Sequence, residues 1–513
     1  MFKNVGANWV LSLLQILVLL KLAPFVVEAL GRGPNGVWVT IVSLTGILHL
    51  LVLGVPLASV RFVAEHVARK DLPRANAAIS TCLGIAFGLA AAALAVGGIL
   101  YAFFEAGFLR GPQGAALSAG EIQSARIAFG IVAVQVAAGF VLRLPYGIFD
   151  AHHDFVVRNG IMGGELLLRL VLTIGLLSWR ASLPLLAAVQ LACLLSEFVA
   201  VWIVVRRRYP GIRFGLGSFD RSLVRSILGF SVFAMLLNVG SLLAFRSDAI
   251  VIGAHLAPDQ VTYFDMGNKF FEPMSGLLIA VGAVVMPMAT RLRATGERDE
   301  LRRVFLTWSK ICLSIVLLIG LYLLVLGPEF LAWWVGPDFA VPSGRVLQVL
   351  MLSFLVYLPV RGVALAVLLG LGKPALPALA LLAMGVLNLA ISLALVRPLG
   401  ILGVAIGTAV PNVLFAGALL VLACREVGVT LPAFLAYVGG RAVLGALVPL
   451  GILLAWKHGG AVEGLPALVA AGVASVLAFA ATWALFVYRG DRYLDLRAEL
   501  ARILPGAGRK GPR

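Results

Sequence analysis

The sequence predicts an all-α integral membrane protein of about 14 transmembrane helices: two six-helix lobes in parallel repeat, then two C-terminal helices. Three observations lead there: many apolar runs of membrane-spanning length, a skew of basic residues to alternate loops, and an internal repeat. A bilayer core of about 30 Å takes about 20 apolar residues to cross as a helix. The chain is 61% apolar and only 13% charged, with a mean hydropathy of +1.02, whereas soluble domains are about a quarter charged. In lipid, only helices or closed barrels satisfy the backbone polar groups, and runs this long and uniformly apolar are helices.

In chain order the spans fall near 6–30, 37–60, 79–104, 124–148, 158–179, 183–205, 227–256, 259–288, 305–326, 345–370, 374–396, 400–423, 434–455 and 464–488. The first is too long for a signal-peptide core and reads as an uncleaved anchor. The four cysteines, Cys82, Cys193, Cys312 and Cys424, fall in or at the ends of spans. The expectation is therefore no structural disulfide and no metal cluster.

The net charge of +17 is explained by topology. With the amino terminus inside, the inside segments hold 28 Lys and Arg, from Lys3 through the loops Arg61–Arg74, Arg206–Arg225 and Arg291–Lys310 to the tail, and the outside segments hold 7. That bias is the positive-inside rule for an even number of spans with both termini cytoplasmic. The basic excess then meets anionic lipid headgroups rather than nucleic acid.

Sliding the chain by 225 lays Gly36-Val37-Trp38 on Val261-Thr262-Tyr263, each after a proline-containing outside turn, and lays Lys21 on Arg246. Leu144-Pro145 similarly matches Leu358-Pro359, each followed by a tight polar turn. Copies separated by six spans share one orientation, about an axis along the membrane normal. This gives an N-terminal lobe over 1–205, a basic linker over 206–226 that is flexible or interfacial, a C-terminal lobe over 227–424, spans 13 and 14 over 425–488, and a basic tail over 489–513. The tail is either solvated or a short amphipathic helix on the membrane, carrying Tyr493, Leu494, Leu496, Leu500, Ile503 and Leu504.

The candidate site residues are the charges inside spans, because a charge at the bilayer centre costs about 2.5–3.5 kcal/mol on insertion scales and by default marks a substrate path. Lys21 in span 1 and Arg246 in span 7 are repeat-related cations suited to a phosphate or carboxylate. The alternatives are snorkelling or a bridge to Glu28 for Lys21, and a local pair with Asp248 for Arg246. Asp265, Lys269 and Glu272, at i, i+4 and i+7, share one helical face. They form either a self-neutralised cluster or a site where Lys269 holds an anion while Asp265 or Glu272 takes a proton or sodium ion. Glu165 and Arg169 read as a structural pair, and Glu197, lacking a local partner, as a second coupling candidate alongside Asp248. Arg143 and Arg361 flank the two Leu-Pro steps, where Pro145 and Pro359 can hinge a membrane helix. They either guide a headgroup in from the cytoplasm or anchor the inner interface. Arg441 reads as an interface anchor, and His152-His153 as a surface turn.

The stretches Gly33-Pro34-Asn35-Gly36-Val37-Trp38, Leu53-Gly54-Val55-Pro56 and Val60-Arg61-Phe62-Val63-Ala64-Glu65 resemble the opening of polysaccharide-biosynthesis flippases, the Wzx-like lipid-carrier translocases of the MOP superfamily. Arg246-Ser247-Asp248-Ala249-Ile250-Val251-Ile252-Gly253, Gly336-Pro337-Asp338-Phe339, Leu369-Gly370-Leu371-Gly372-Lys373 and Leu399–Thr408 continue the resemblance in order. It implies a two-lobed, MATE-like bundle that works by alternating access. The bundle carries undecaprenyl-diphosphate-linked oligosaccharide from the inner to the outer leaflet of a bacterial or archaeal cytoplasmic membrane. It also implies a monomer without cofactor, driven by proton or sodium coupling or by membrane potential alone, working beside membrane lipids and with a polysaccharide polymerase and a chain-length regulator as partners. Lys21 fits the first-span cation that relatives use for the diphosphate, with Lys where some carry Arg.

Two other functions compete. A multidrug exporter of the same superfamily calls for a cavity dominated by acids, whereas Lys21, Arg246 and Lys269 balance or exceed them here. A polytopic polymerase or glycosyltransferase needs catalytic residues on sizeable outside loops, and the longest, about 105–123, carries only Glu105, Arg110 and Glu121 as charges. No phosphate-binding loop, nucleophile elbow or metal motif is present in the sequence.

Overall fold

A computed structural model describes residues 2–52, 55–109, 117–152, 154–229, 232–460, 462 and 464–494. The tail reading beyond residue 494, and His153, lie outside them. The described elements are helical throughout. They run α1 (Phe2–Leu30), α2 (Arg32–Gly46), α3 (Val55–Ala68), α4 (Leu72–Phe104), α5 (Ala119–Leu142), α6 (Tyr146–Ala151), α7 (Phe155–Trp179), α8 (Leu183–Arg208), α9 (Arg221–Gly229), α10 (Val232–Phe245) and α11 (Ser247–His255). There follow α12 (Pro258–Asn268), α13 (Phe271–Thr295), α14 (Arg298–Trp334), α15 (Pro342–Gly370), α16 (Ala375–Leu399), α17 (Ile401–Val427), α18 (Leu431–Phe434), α19 (Arg441–His458) and α20 (Gly464–Thr482).

Thirteen helical stretches among the described residues are long and apolar enough to cross a membrane. The fourteenth expected span, 227–256, is instead divided at Arg246 into α10 and α11. Ser247 is the local cause: its hydroxyl donates to the Leu243 carbonyl at 2.6 Å, competing with the helical ladder. Span 8 is likewise interrupted at Lys269–Phe270, between α12 and α13. Pro273 follows, with no N–H to give the Lys269 carbonyl. Large apolar side chains such as Leu17, Phe103, Val171 and Leu477 are exposed, as lipid-facing helix surfaces require.

The chain groups into two compact units, residues 1–266 with 381–404, and residues 267–380 with 405–513. In the first, α1 packs on α7, and α5 packs on α4 and α8. One of its cores joins Trp38, Ile41, Phe104, Phe129, Val132 and Leu186. The linker after α8, expected to be flexible or interfacial, is strapped along α4. Asn76 donates to the Gly211 carbonyl and accepts from the Arg213 N–H, Ser80 donates to the Gly215 carbonyl, and the Asp220 N–H donates to Thr81. The start of α2 meets the start of α12. Arg32 donates to the Tyr263 hydroxyl at 2.5 Å, Asn35 to Thr262 Oγ1 at 3.1 Å, and Thr262 to the Arg32 carbonyl at 2.7 Å. Gly36 is required there, since a Cβ would stand 1.7 Å from the Pro258 carbonyl oxygen. These are the segments that the repeat superimposes.

In the second unit α15 packs between α13 and α14. Small residues allow the closest approach: a Cβ at Gly282 would lie 2.8 Å from the Gly362 carbonyl oxygen, and one at Gly370 would lie 2.5 Å from that of Met286. A second core joins Leu317, Leu321, Ala446, Leu453, Phe479 and Trp483. At its edge stands Lys310, which the sequence assigns to an inside loop but which lies within α14, only 3% exposed. Its ammonium donates to Asp491 Oδ2 at 2.5 Å and to the Val487 carbonyl at 3.1 Å, and sits over the rings of Tyr437 and Tyr488. Tyr437 donates its hydroxyl to the other Asp491 oxygen at 2.7 Å. Nothing local in the sequence pairs residues 310 and 491.

Breaking a buried pair by removing one partner costs about 3–5 kcal/mol, because a charge is left unmatched. Lys310→Met is therefore expected to lower the unfolding temperature in detergent by several degrees, and adding Asp491→Leu to restore most of the loss. Burial pushes the Asp491 carboxyl up, but hydrogen bonds from Lys310 and Tyr437 outweigh it and hold it below the usual carboxylate range. Stability from this group is present above the unfolded-state value and is lost as pH falls through the lower folded-state value. Thermal unfolding of the wild type and of Asp491→Asn between about pH 5 and pH 2 should converge toward the acid end.

Candidate functional site

The intramembrane charges divide between the two units. The first unit holds Lys21, Arg143, Glu197, Arg246, Asp248 and Asp265, and the second holds Lys269, Glu272 and Arg361.

In the first unit, Lys21 and Glu28 are both exposed on α1, and Lys21 makes no ion pair among the described residues. Arg246 is exposed at the α10–α11 break, while Asp248 two residues on is 2% exposed. The Arg246 stem lies against α2: a Cβ on Gly46 would be 3.8 Å from its Cδ. One turn beyond, the 3₁₀ turn Ile47–Val52 presents His49, also exposed. Both Arg246 and Arg143 are near enough to act electrostatically on His49. His49 carries no formal charge and so falls outside the pattern of intramembrane charges, although an isolated histidine in the apolar run Leu48-His49-Leu50-Leu51-Val52 marks it in the sequence.

Arg143 owes its position to Pro145. α5 stops at Leu142, the chain turns through Arg143–Pro145, and α6 begins at Tyr146. That turn brings two side chains to Glu197 of α8, which is 7% exposed. Tyr146 donates its hydroxyl to Glu197 Oε1 at 2.8 Å, and Arg143 Nε stands 3.7 Å from Oε2. Glu197 thus has partners from α6 and from the turn, though none is local in sequence. Glu165 and Arg169 form the expected pair within α7, with Nη2 2.6 Å from Oε1.

In the second unit, Arg361 donates to Ser275 Oγ at 2.5 Å and lies over the Tyr357 ring at 5.8 Å. Pro359 is inside the uninterrupted α15, so the two Leu-Pro steps differ: the first ends a helix and the second is carried within one. The shared face expected of Asp265, Lys269 and Glu272 is not continuous. Asp265 lies in the last turn of α12, Lys269 sits in the turn between helices, and Glu272, exposed, lies in the first turn of α13. Arg441, expected as an anchor, donates to the Arg489 carbonyl at 2.8 Å.

Three interruptions of the spans therefore fall on basic residues: Arg143, Arg246 and Lys269. At the first two the backbone N–H stays paired, Arg143 with the Gly139 carbonyl and Arg246 with the Leu242 carbonyl, so the side-chain charge is what such a place can offer an anionic group. Deleting the hydroxyl that satisfies a buried carboxylate costs about 1–3 kcal/mol. Tyr146→Phe should accordingly lower the unfolding temperature in detergent. Glu197→Gln combined with Tyr146→Phe should cost less than the sum of the two single changes, since the two residues share one hydrogen bond.

The fold matches solved transporter structures. The lipid II flippase MurJ in an inward closed conformation aligns at a TM-score of 0.71 and 14% identity, covering 96% of this chain and 99% of that one. A multidrug resistance MATE family transporter of the MOP superfamily in an inward-facing conformation aligns at 0.68 and 16% identity, covering 80% and 94%. A MOP superfamily transporter from Pyrococcus furiosus aligns at 0.58 and 16% identity, covering 83% and 96%. At these identities the likeness establishes the fold, that of a multi-pass helical membrane protein. A search of the curated proteins found no match. The family model described as polysaccharide biosynthesis protein matches residues 3–293, more than half of the sequence, and the chain belongs to that family.

Proposed function

We propose that this protein is a flippase that carries a lipid-diphosphate-linked oligosaccharide, of the undecaprenyl class, from the inner to the outer leaflet of the cytoplasmic membrane by alternating access. The observation that carries the reading is the set of exposed or partly exposed cations at helix interruptions, Arg143, Arg246 and Lys269, with His49 beside the first two. Guanidinium and ammonium groups suit a diphosphate, which arginine can hold through two parallel hydrogen bonds. Lys21, exposed on α1, and Arg361, held by Ser275, supply further cations. The family supports a polysaccharide precursor as substrate, and the fold, shared with a lipid II flippase, supports a transporter rather than an enzyme.

Membrane potential alone can drive the export. A lipid diphosphate carries roughly two negative charges, and with the inside negative each gains about 2.3 kcal/mol per 100 mV on moving outward. If an ion is coupled as well, Glu197 is the carboxylate best placed to respond, since its neighbours Arg143 and Tyr146 flank a break in the chain. The polar seam of Arg32, Asn35, Thr262 and Tyr263 lies at the end of the helices that the positive-inside pattern places outside, where it acts as a closed outer gate. A polymerase and a chain-length regulator would take up the product, and both termini remain cytoplasmic. The multidrug-exporter reading is weaker, because a cationic drug would meet like charge at Arg143, Arg246 and Lys269.

The test is complementation of a flippase-deficient bacterial strain by wild type, Lys21→Ala and Arg246→Ala at matched membrane expression, read as surface polysaccharide. Wild type should restore it, and each variant should reduce it at least tenfold. Full rescue by both variants would remove the cationic path while leaving the flippase. Drug-resistance assays without glycan rescue would favour the exporter.

A further inference from the structure

A groove of about 770 Å³ runs between α4 and α5 in the first unit, away from Lys21, Arg143 and Arg246. That volume is in the range of small-molecule sites. Its floor is Gly97, Phe129 and Ala133, all buried, and its walls are the exposed apolar side chains Leu94, Ile127 and Val134. Above Gly98 and Gly130 the space is open: a Cβ added to either would meet nothing within 4 Å. These two glycines therefore do not serve close helix packing, although each weakens its helix relative to alanine.

One end of the groove is polar. Arg126 Nε donates to the Tyr101 hydroxyl at 2.8 Å and stands 3.8 Å from Glu105 Oε2, and Gln123 lies a turn earlier on α5. The Arg126 side chain is 46% exposed and that of Glu105 is 16% exposed. An apolar trough as long as several helical turns, closed at one end by a guanidinium beside a carboxylate, has the shape and charge order of a phospholipid with a zwitterionic head. An anionic headgroup would meet Glu105 with no positive charge of its own to offer it. A phosphate paired with an ammonium matches both Arg126 and Glu105.

We infer that the α4–α5 groove holds a zwitterionic aminophospholipid, with its phosphate on Arg126, its ammonium toward Glu105 and an acyl chain along Gly98 and Gly130. The loop beside this end is one that the positive-inside pattern places outside, so the lipid comes from the outer leaflet. The site is separate from the proposed transport path.

The experiment uses the full-length protein in nanodiscs of equal phosphatidylethanolamine and phosphatidylglycerol, transferred to mild detergent, with retained lipid read by native mass spectrometry. Wild type should retain phosphatidylethanolamine in preference to phosphatidylglycerol. Arg126→Gln should cut that retention about tenfold, the scale of one charge-assisted hydrogen bond. Gly98→Leu with Gly130→Leu should cut it similarly at unchanged unfolding temperature, because the added side chains enter open space. Equal retention by wild type and Arg126→Gln, or phosphatidylglycerol held as strongly as phosphatidylethanolamine, overturns the proposal. If the double leucine variant is unstable, Arg126→Gln, on the exposed rim, decides alone.

Discussion

A charge among apolar helices must find a partner inside the protein, because lipid offers none. Lys310 shows that constraint fully met. Its ammonium is enclosed by Asp491, the Val487 carbonyl and two tyrosine rings, and Asp491 is in turn held by Tyr437. This joins α14, the turn before α19 and the segment after α20 in the second unit. Held by partners on both sides, the pair is chemically quiet.

Arg143, Arg246 and Lys269 occupy places where the helix itself stops, and Arg246 and Lys21 are exposed instead of enclosed. The local causes differ: a proline turn at Pro145, hydroxyl back-bonding by Ser247, and the missing N–H of Pro273. In each case the helix stops at a basic residue.

Close packing sets where the helices can move. Gly36 against Pro258, and Gly282 and Gly370 within the α13–α15 pair, bring backbones nearer than any side chain would allow. Gly98 and Gly130 do the reverse and leave space unfilled. A glycine count cannot separate these roles, since the difference lies entirely in what stands opposite.

Hydropathy and charge in the sequence determined the helical class, nearly all the spans and most of the cations within them, Lys310 excepted, because each depends on composition over about 20 residues. The Glu165–Arg169 pair was legible for a similar reason, as its spacing lies within one helix. Contacts across the chain were not legible. Lys310 with Asp491, Tyr146 with Glu197 and Arg32 with Tyr263 join residues 51 to 231 positions apart. The interruptions at Arg246 and Lys269 were also missed, since their apolar flanks read as continuous spans. Those features belong to the tertiary structure, where hydrogen bonding and packing choose among partners that sequence alone leaves equivalent.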